Sequence, residues 1–84
     1  GSEDQQWREE GARALRYFKS NENVAVLKKL LMDPSFVTCV RQEGDCVIET
    51  HREYRVRQAA FASLRELGIE VPKPVVVVPL PLKQ

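Results

Sequence analysis

Residues 53–68 read EYRVRQAAFASLRELG, the most regular stretch of the chain. Val56, Ala60, Leu64 and Leu67 recur at steps of four, four and three, the period of one helix face. Tyr54 and Phe61, seven apart, widen that stripe, and Gly68 stands where a glycine ends a helix in a left-handed conformation. The stretch predicts an amphipathic helix. Its inward face offers packing surface and small alanines rather than a nucleophile beside a base, so it is read as a layer of a stack.

Two helices are expected before it. From Glu3 to about Phe18, Trp7, Gly11, Ala14, Leu15 and Phe18 share one side. Glu9 and Arg13 on the other side are placed for a surface pair. KSNEN, residues 19–23, interrupts the pattern and supplies Ser20, Asn21 and Asn23 as competent N-caps. A second helix, about Glu22 to Met32, carries Val24, Leu27, Leu30 and Leu31 as its stripe. Asp33-Pro34 ends it, because a residue before proline is pushed out of the helical region. The short connection predicts an antiparallel pair of helices.

Residues 36–52, FVTCVRQEGDCVIETHR, change character: β-branched residues flank QEGD, which predicts a β-hairpin with Glu43-Gly44 as its loop. That register sets Val40 against Val47, Cys39 against Ile48 and Val37 against Thr50. It makes Val37, Cys39, Cys46 and Ile48 the inward face. The tail, residues 72–84, has prolines at 72, 74, 79 and 81 and must run extended. It has no P-x-x-P spacing, and Val75 to Val78 is read as a strand pairing with the hairpin or a strap across the helices, rather than a strand offered to a partner.

With the helices placed, VLKKLLMDP followed by YRVRQAAFASLRELG resembles a HEAT-type repeat, the helical-hairpin unit of α-solenoids. The resemblance covers roughly residues 22–68 and rests on Asp33, Pro34, Val56, Arg57, Ala60 and Leu64. It implies that Asp33 helps fix the inter-helix turn, that Val56 is buried, and that Arg57 reaches towards the turn or a neighbouring repeat. One departure is large: 21 residues separate Pro34 from Val56, so the hairpin occupies the place of the inter-helix turn. Solenoid units need neighbours or caps, so this chain reads as a C-terminal cap or fragment.

The expected fold is therefore α+β, mainly α. A helical hairpin and a third helix form a HEAT-like domain over residues 3–71, with a hairpin insert at about 36–52 and the extended tail after it. Gly1-Ser2, with no methionine, is read as a cleavage scar. At 84 residues, 43% hydrophobic and 30% charged, the composition is that of one small globular domain. Thirteen basic against twelve acidic residues leave +1, which gives no field for nucleic acid or anionic membrane. No apolar run approaches the roughly 18 residues of a membrane span.

Site chemistry is sparse. His51 is the only histidine, and THRE places it in a solvated strand end with no nucleophile motif nearby, so no catalytic residue is assigned. Cys39 and Cys46 read as two buried thiols, with a disulfide or half a metal site as alternatives; the expected register leaves them diagonal at roughly 7–8 Å, long for a bridge. Zinc would need ligands beyond the cysteines, of which His51 supplies one, so neither a metal nor a cofactor is assigned. Arg52, Arg55, Arg57 and Arg65 interleave with acids, which argues against a phosphate-binding stripe.

The expected function is a non-catalytic interaction or scaffold module. Its partner is another protein or further repeats of the parent chain, with a homodimer as a variant. The hairpin tip, Arg41, Gln42, Glu43 and Asp45, is the first candidate surface, because insertions in repeats decorate binding faces. Trp7 is the second: core packing is its default reading, and exposure at an open repeat end is the functional one. The alternatives are an accessory domain of an enzyme, since short HEAT-like repeats resemble those of bilin-attaching lyases, and a weak nucleic-acid-binding module.

Overall fold

A computed structural model describes the backbone of residues 2–80 and the side chains of residues 4–80. Gly1, half of the expected scar, and the end of the tail, residues 81–84, lie outside the described residues. Helix α1, Ser2–Ala14, runs into a 3-10 turn at Leu15–Tyr17. Helix α2 is Asn21–Leu30; strands β1, Val37–Glu43, and β2, Cys46–Glu53, follow. Helix α3 is Arg55–Glu66, and a short strand β3 is Val77–Pro79. Three helices and a three-stranded antiparallel sheet of order β1-β2-β3 make a small α+β fold, mainly α.

Local signals set the helix ends. The Ser20 hydroxyl accepts the Asn23 N–H at 3.1 Å, satisfying one of the open donors of α2. At the end of α3, Gly68 has φ +78°; the Ile69 N–H donates to the Leu64 carbonyl at 2.9 Å and the Gly68 N–H to Arg65 at 3.0 Å. These are the two bonds of a Schellman cap, and they turn Ile69 back onto the core.

The core is built on α3, which lies against both α1 and α2. Ala12, Leu27, Ala59, Ala60 and Leu64 are buried together, with Leu15, Val24, Leu30, Leu31, Leu67, Ile69 and Val71 packed around them. Three of the five central residues are alanines, so helix backbones approach closely. The buried Ser63 hydroxyl exploits that approach: it donates to the Ala12 carbonyl at 2.6 Å, supplying a partner in the last turn of α1.

The rotation of α1 corrects the expected stripe. Ala12 is buried and Gln5, Arg8, Glu9 and Leu15 are half-buried, whereas Trp7, Gly11, Ala14 and Phe18 are exposed. The cause is polar. Arg8 is drawn inward by the Asp33 carboxylate, Nε to Oδ2 2.7 Å, and Ser63 holds Ala12, which leaves Trp7 on the outside.

The hairpin register is also corrected. The loop is Gly44-Asp45, with Gly44 at φ +59°, the conformation that the first loop position of a II′ turn reserves for glycine. Glu43 therefore pairs with Cys46, Gln42 with Val47, Arg41 with Ile48 and Val40 with Glu49. Between Val40 and Cys39 the register shifts, so Cys39 pairs with His51, Thr38 with Arg52 and Val37 with Glu53. Residues 40–47 are all exposed, Cys46 included, so the expected inward face holds only at Val37, Cys39 and Ile48, each half-buried.

The tail folds back as an edge strand. Glu53, Arg52 and His51 pair with Val77, Val78 and Pro79, and the Tyr54 N–H donates to the Val76 carbonyl at 2.8 Å. Pro79 is tolerated because an edge strand leaves one row of its backbone groups unpaired. The molecule is long, 49 × 26 × 17 Å, with a radius of gyration of 15.0 Å. A compact chain of this length has about 12 Å.

Replacing Ser63 by Ala leaves the Ala12 carbonyl without that partner. Chemical denaturation is expected to show a loss of about 1–2 kcal/mol.

Candidate functional site

Asp33 is buried and collects contacts from three directions. Its Oδ1 accepts the Ser35 N–H at 3.0 Å and the Ser35 hydroxyl, an Asx-type turn that starts the connection to β1. Its Oδ2 takes the Arg8 guanidinium, and its main-chain carbonyl takes Arg57 Nε at 2.8 Å. Burial pushes the Asp33 carboxyl up, but the Ser35 hydrogen bonds and then Arg8 outweigh it and hold the group below the ordinary carboxylate value.

Arg57 extends the connection to the tail, with Nη1 donating to the Val75 carbonyl at 3.1 Å and its guanidinium 4.0 Å from the centre of the Tyr54 ring. Tyr54 meets Phe36 at 5.7 Å between ring centres, and Arg52 lies 4.6 Å over Phe36. Pro34 is exposed, while Val56, Ala60 and Leu64 are fully buried. Apart from exposed Pro34, the residues singled out for the repeat resemblance are buried in α3 or, at Asp33 and Arg57, tie the helices to one another and to the tail.

The two candidate surfaces differ in kind. At the hairpin tip, Arg41 and Glu43 pair with one another at 2.6 Å, and the Gln42 amide reaches the Gly44 carbonyl at 3.4 Å. Trp7, 72% exposed, lies with Gly11 and Ala14 along the outer side of α1, and Phe18, equally exposed, closes the 3-10 turn that follows in extended conformation. A Cβ added at Gly11 would have nothing within 4 Å, so the contacts within this chain give no reason for that glycine.

A third group was missed in the sequence because Glu53 was not connected to Cys39 and His51. Their ligand-type atoms lie within 4.8 Å of one another on the sheet, all half-buried. His51 Nε2 is 3.1 Å from Glu53 Oε1, His51 Nδ1 is 2.8 Å from the Thr50 hydroxyl, and Glu53 Oε2 is 3.5 Å from Arg55 Nε. Partial burial, then Glu53, pushes the Cys39 thiol up; the His51 contact, then Cys39, holds the Glu53 carboxyl down. His51 is therefore a half-buried, bonded residue rather than a solvated strand end. Cys39 and Cys46 are both free thiols, and Cys46 sits opposite Glu43, beside the turn, far from Cys39 opposite His51. A shallow groove beside the end of α3, lined by Phe61, Arg65, Gly68, Ile69, Glu70, Val71 and Pro72, shares no residue with this group.

The chain matches no protein-family model, no curated protein and no solved structure. No helix among the described residues is long and apolar enough to cross a membrane.

Two outcomes are expected. Asp33, with its folded-state pKa lowered, stabilises the fold fully above its unfolded value of about 4 and loses that contribution as pH falls through the lower folded value. Thermal unfolding of the parent chain should therefore drop more steeply below about pH 4 than that of Asp33→Asn. Native alkylation with iodoacetamide, followed by mass spectrometry, should label exposed Cys46 roughly tenfold faster than Cys39.

Proposed function

We propose that the chain is a non-catalytic protein-interaction module of HEAT-like type, and that its docking surface is the outer side of α1. The observation that carries this reading is Trp7, Gly11 and Ala14 left in solvent at helical spacing on one side of α1, with Phe18 also exposed in the extended residue that closes the 3-10 turn after it. A tryptophan one turn before two small residues makes a face into which another helix seats, with the small positions letting the backbones approach. Tryptophan is also the residue type most enriched among binding hot spots.

The occupant this face fits is the helix of an adjoining repeat, from the parent chain or from a partner. Support for a repeat-like unit comes from the Arg57 bond to the Asp33 carbonyl, which ties the third helix to the turn after the second. The alanine-rich contact of α3 with its neighbours is of the same kind. The hairpin tip ranks below the α1 face because Arg41 and Glu43 already neutralise each other, and exposed pairs of that sort contribute little to binding.

In the isolated chain a second copy can substitute for the missing neighbour. Light scattering behind size exclusion should show dimers growing with concentration, and the fluorescence of the sole tryptophan should shift to the blue over the same range. The paired substitution Trp7→Ser and Phe18→Ser should abolish the dimer without loss of helical circular dichroism, since both side chains are already exposed. A chain that stays monomeric at millimolar concentration would contradict the reading. So would a dimer that survives the paired substitution.

A further inference from the structure

The β1–β2 ladder contains one irregularity, and its consequence is chemical. From the turn inwards the pairs run Glu43 to Cys46, Gln42 to Val47, Arg41 to Ile48 and Val40 to Glu49. Continued unchanged, that register would set Cys39 against Thr50 and Val37 against Arg52. His51 and Glu53 would then point to the opposite face, because side chains alternate along a strand. Instead Thr50 is the extra residue of a bulge, and Cys39 pairs with His51, Val37 with Glu53. A bulge of this kind re-aims side chains. Here it turns the histidine and the glutamate onto the face of the cysteine.

We propose that Cys39 Sγ, His51 Nε2 and the Glu53 carboxylate form a three-ligand site for a divalent cation of the zinc class, with the fourth position open to water or an exogenous ligand. The donor set selects the ion. One thiolate and one imidazole suit zinc and its transition-metal neighbours, and disfavour magnesium and calcium, which take oxygen ligands.

The spacing is close to what coordination requires. Tetrahedral zinc with ordinary bond lengths holds its N, O and S ligands about 3.3–3.6 Å apart. His51 Nε2 and Glu53 Oε1 are already at 3.1 Å, and no separation in the group exceeds 4.8 Å. About an ångström of side-chain rotation completes the cage.

The hydrogen bonds orient the ligands. The Thr50 hydroxyl has one proton and donates it to the Cys39 carbonyl at 3.3 Å, so towards His51 it accepts, and the imidazole proton resides on Nδ1. The Nε2 lone pair then faces the Glu53 carboxylate, and a proton or a cation must bridge the two. A metal-bound histidine whose other nitrogen donates to an oxygen is the usual outer-shell arrangement. Arg55 engages the other oxygen of Glu53, and the Leu80 N–H donates to the Thr50 carbonyl at 3.1 Å, pinning the bulge from β3. Binding displaces the Cys39 thiol proton to solvent.

The test is titration of the full chain with Co2+ under a phosphine reductant, following thiolate-to-cobalt charge-transfer absorption and the intense ligand-field bands of tetrahedral cobalt. One equivalent should saturate both signals, and Zn2+ should displace it. Cys39→Ser should remove the charge-transfer band, and Cys46→Ser should leave it intact. His51→Ala and Glu53→Gln should weaken binding roughly tenfold or more. Glu53→Gln is nearly isosteric and Cys46 lies exposed beside the turn, so these two arms stand even where His51→Ala unfolds. Absence of a charge-transfer band in the folded parent chain would overturn the site. A band that persists in Cys39→Ser and disappears in Cys46→Ser would overturn it equally.

Discussion

Arg57 is the constraint on which the arrangement depends. It starts the second residue-pair of α3, yet its guanidinium leaves the helix to bond the Asp33 carbonyl after α2 and the Val75 carbonyl before β3, and to cover the Tyr54 ring. Five donors in a rigid fork allow one side chain to hold two distant carbonyls, which a lysine could not do in the same geometry. Without this anchor the core would still unite the helices, but little apolar surface would join them to the sheet. Other links are the Phe36–Tyr54 ring pair with Arg52 above it, the Arg55–Glu53 pair and the Tyr54 N–H bond to the Val76 carbonyl.

From that anchor follow the two features with chemical meaning. The tail is held where its strand can pair with β2, and Leu80 reaches the Thr50 carbonyl at the bulge. The bulge turns His51 and Glu53 towards Cys39. At the turn where Arg57 bonds the Asp33 carbonyl, the Asp33 carboxylate draws Arg8 inward, and that rotation carries Trp7 out to solvent. The exposed side of α1 and the Cys–His–Glu group are thus both consequences of polar contacts made by the segments that follow α2.

Much of the frame was legible because it rests on local rules. The period of Val56, Ala60 and Leu64 and the Gly68 cap act within a few residues and occur where the sequence places them. Ser20 is the one of three competent caps that α2 uses, and α2 ends at Leu30, two residues short of the Met32 expected before the Asp33-Pro34 stop. The three-stranded sheet was legible only in part. The tail was recognisable as extended, and pairing with the hairpin was one of two readings open for it. The rotation of α1 is set by Asp33 and Ser63, 25 and 51 residues from their partners. The hairpin register hinges on which residue bears the positive φ, and the position of Gly44 as the first loop residue was the signal that could have corrected it. The bulge at Thr50 has no comparable signal in the sequence, so neither did the meeting of Cys39, His51 and Glu53.

The central claim is that one arginine couples the helical layer to the sheet. Amide hydrogen exchange, compared between the parent chain and Arg57→Lys, tests it directly. The account predicts that the amides of Tyr54 and Leu80, bonded to Val76 and Thr50, lose protection selectively. The amides of Ile69 and Leu67 at the end of α3 should keep theirs. Equal loss at all four would mean that Arg57 supports global stability only, and unchanged protection at Tyr54 and Leu80 would mean that the sheet holds the tail without it. Either result would contradict the account.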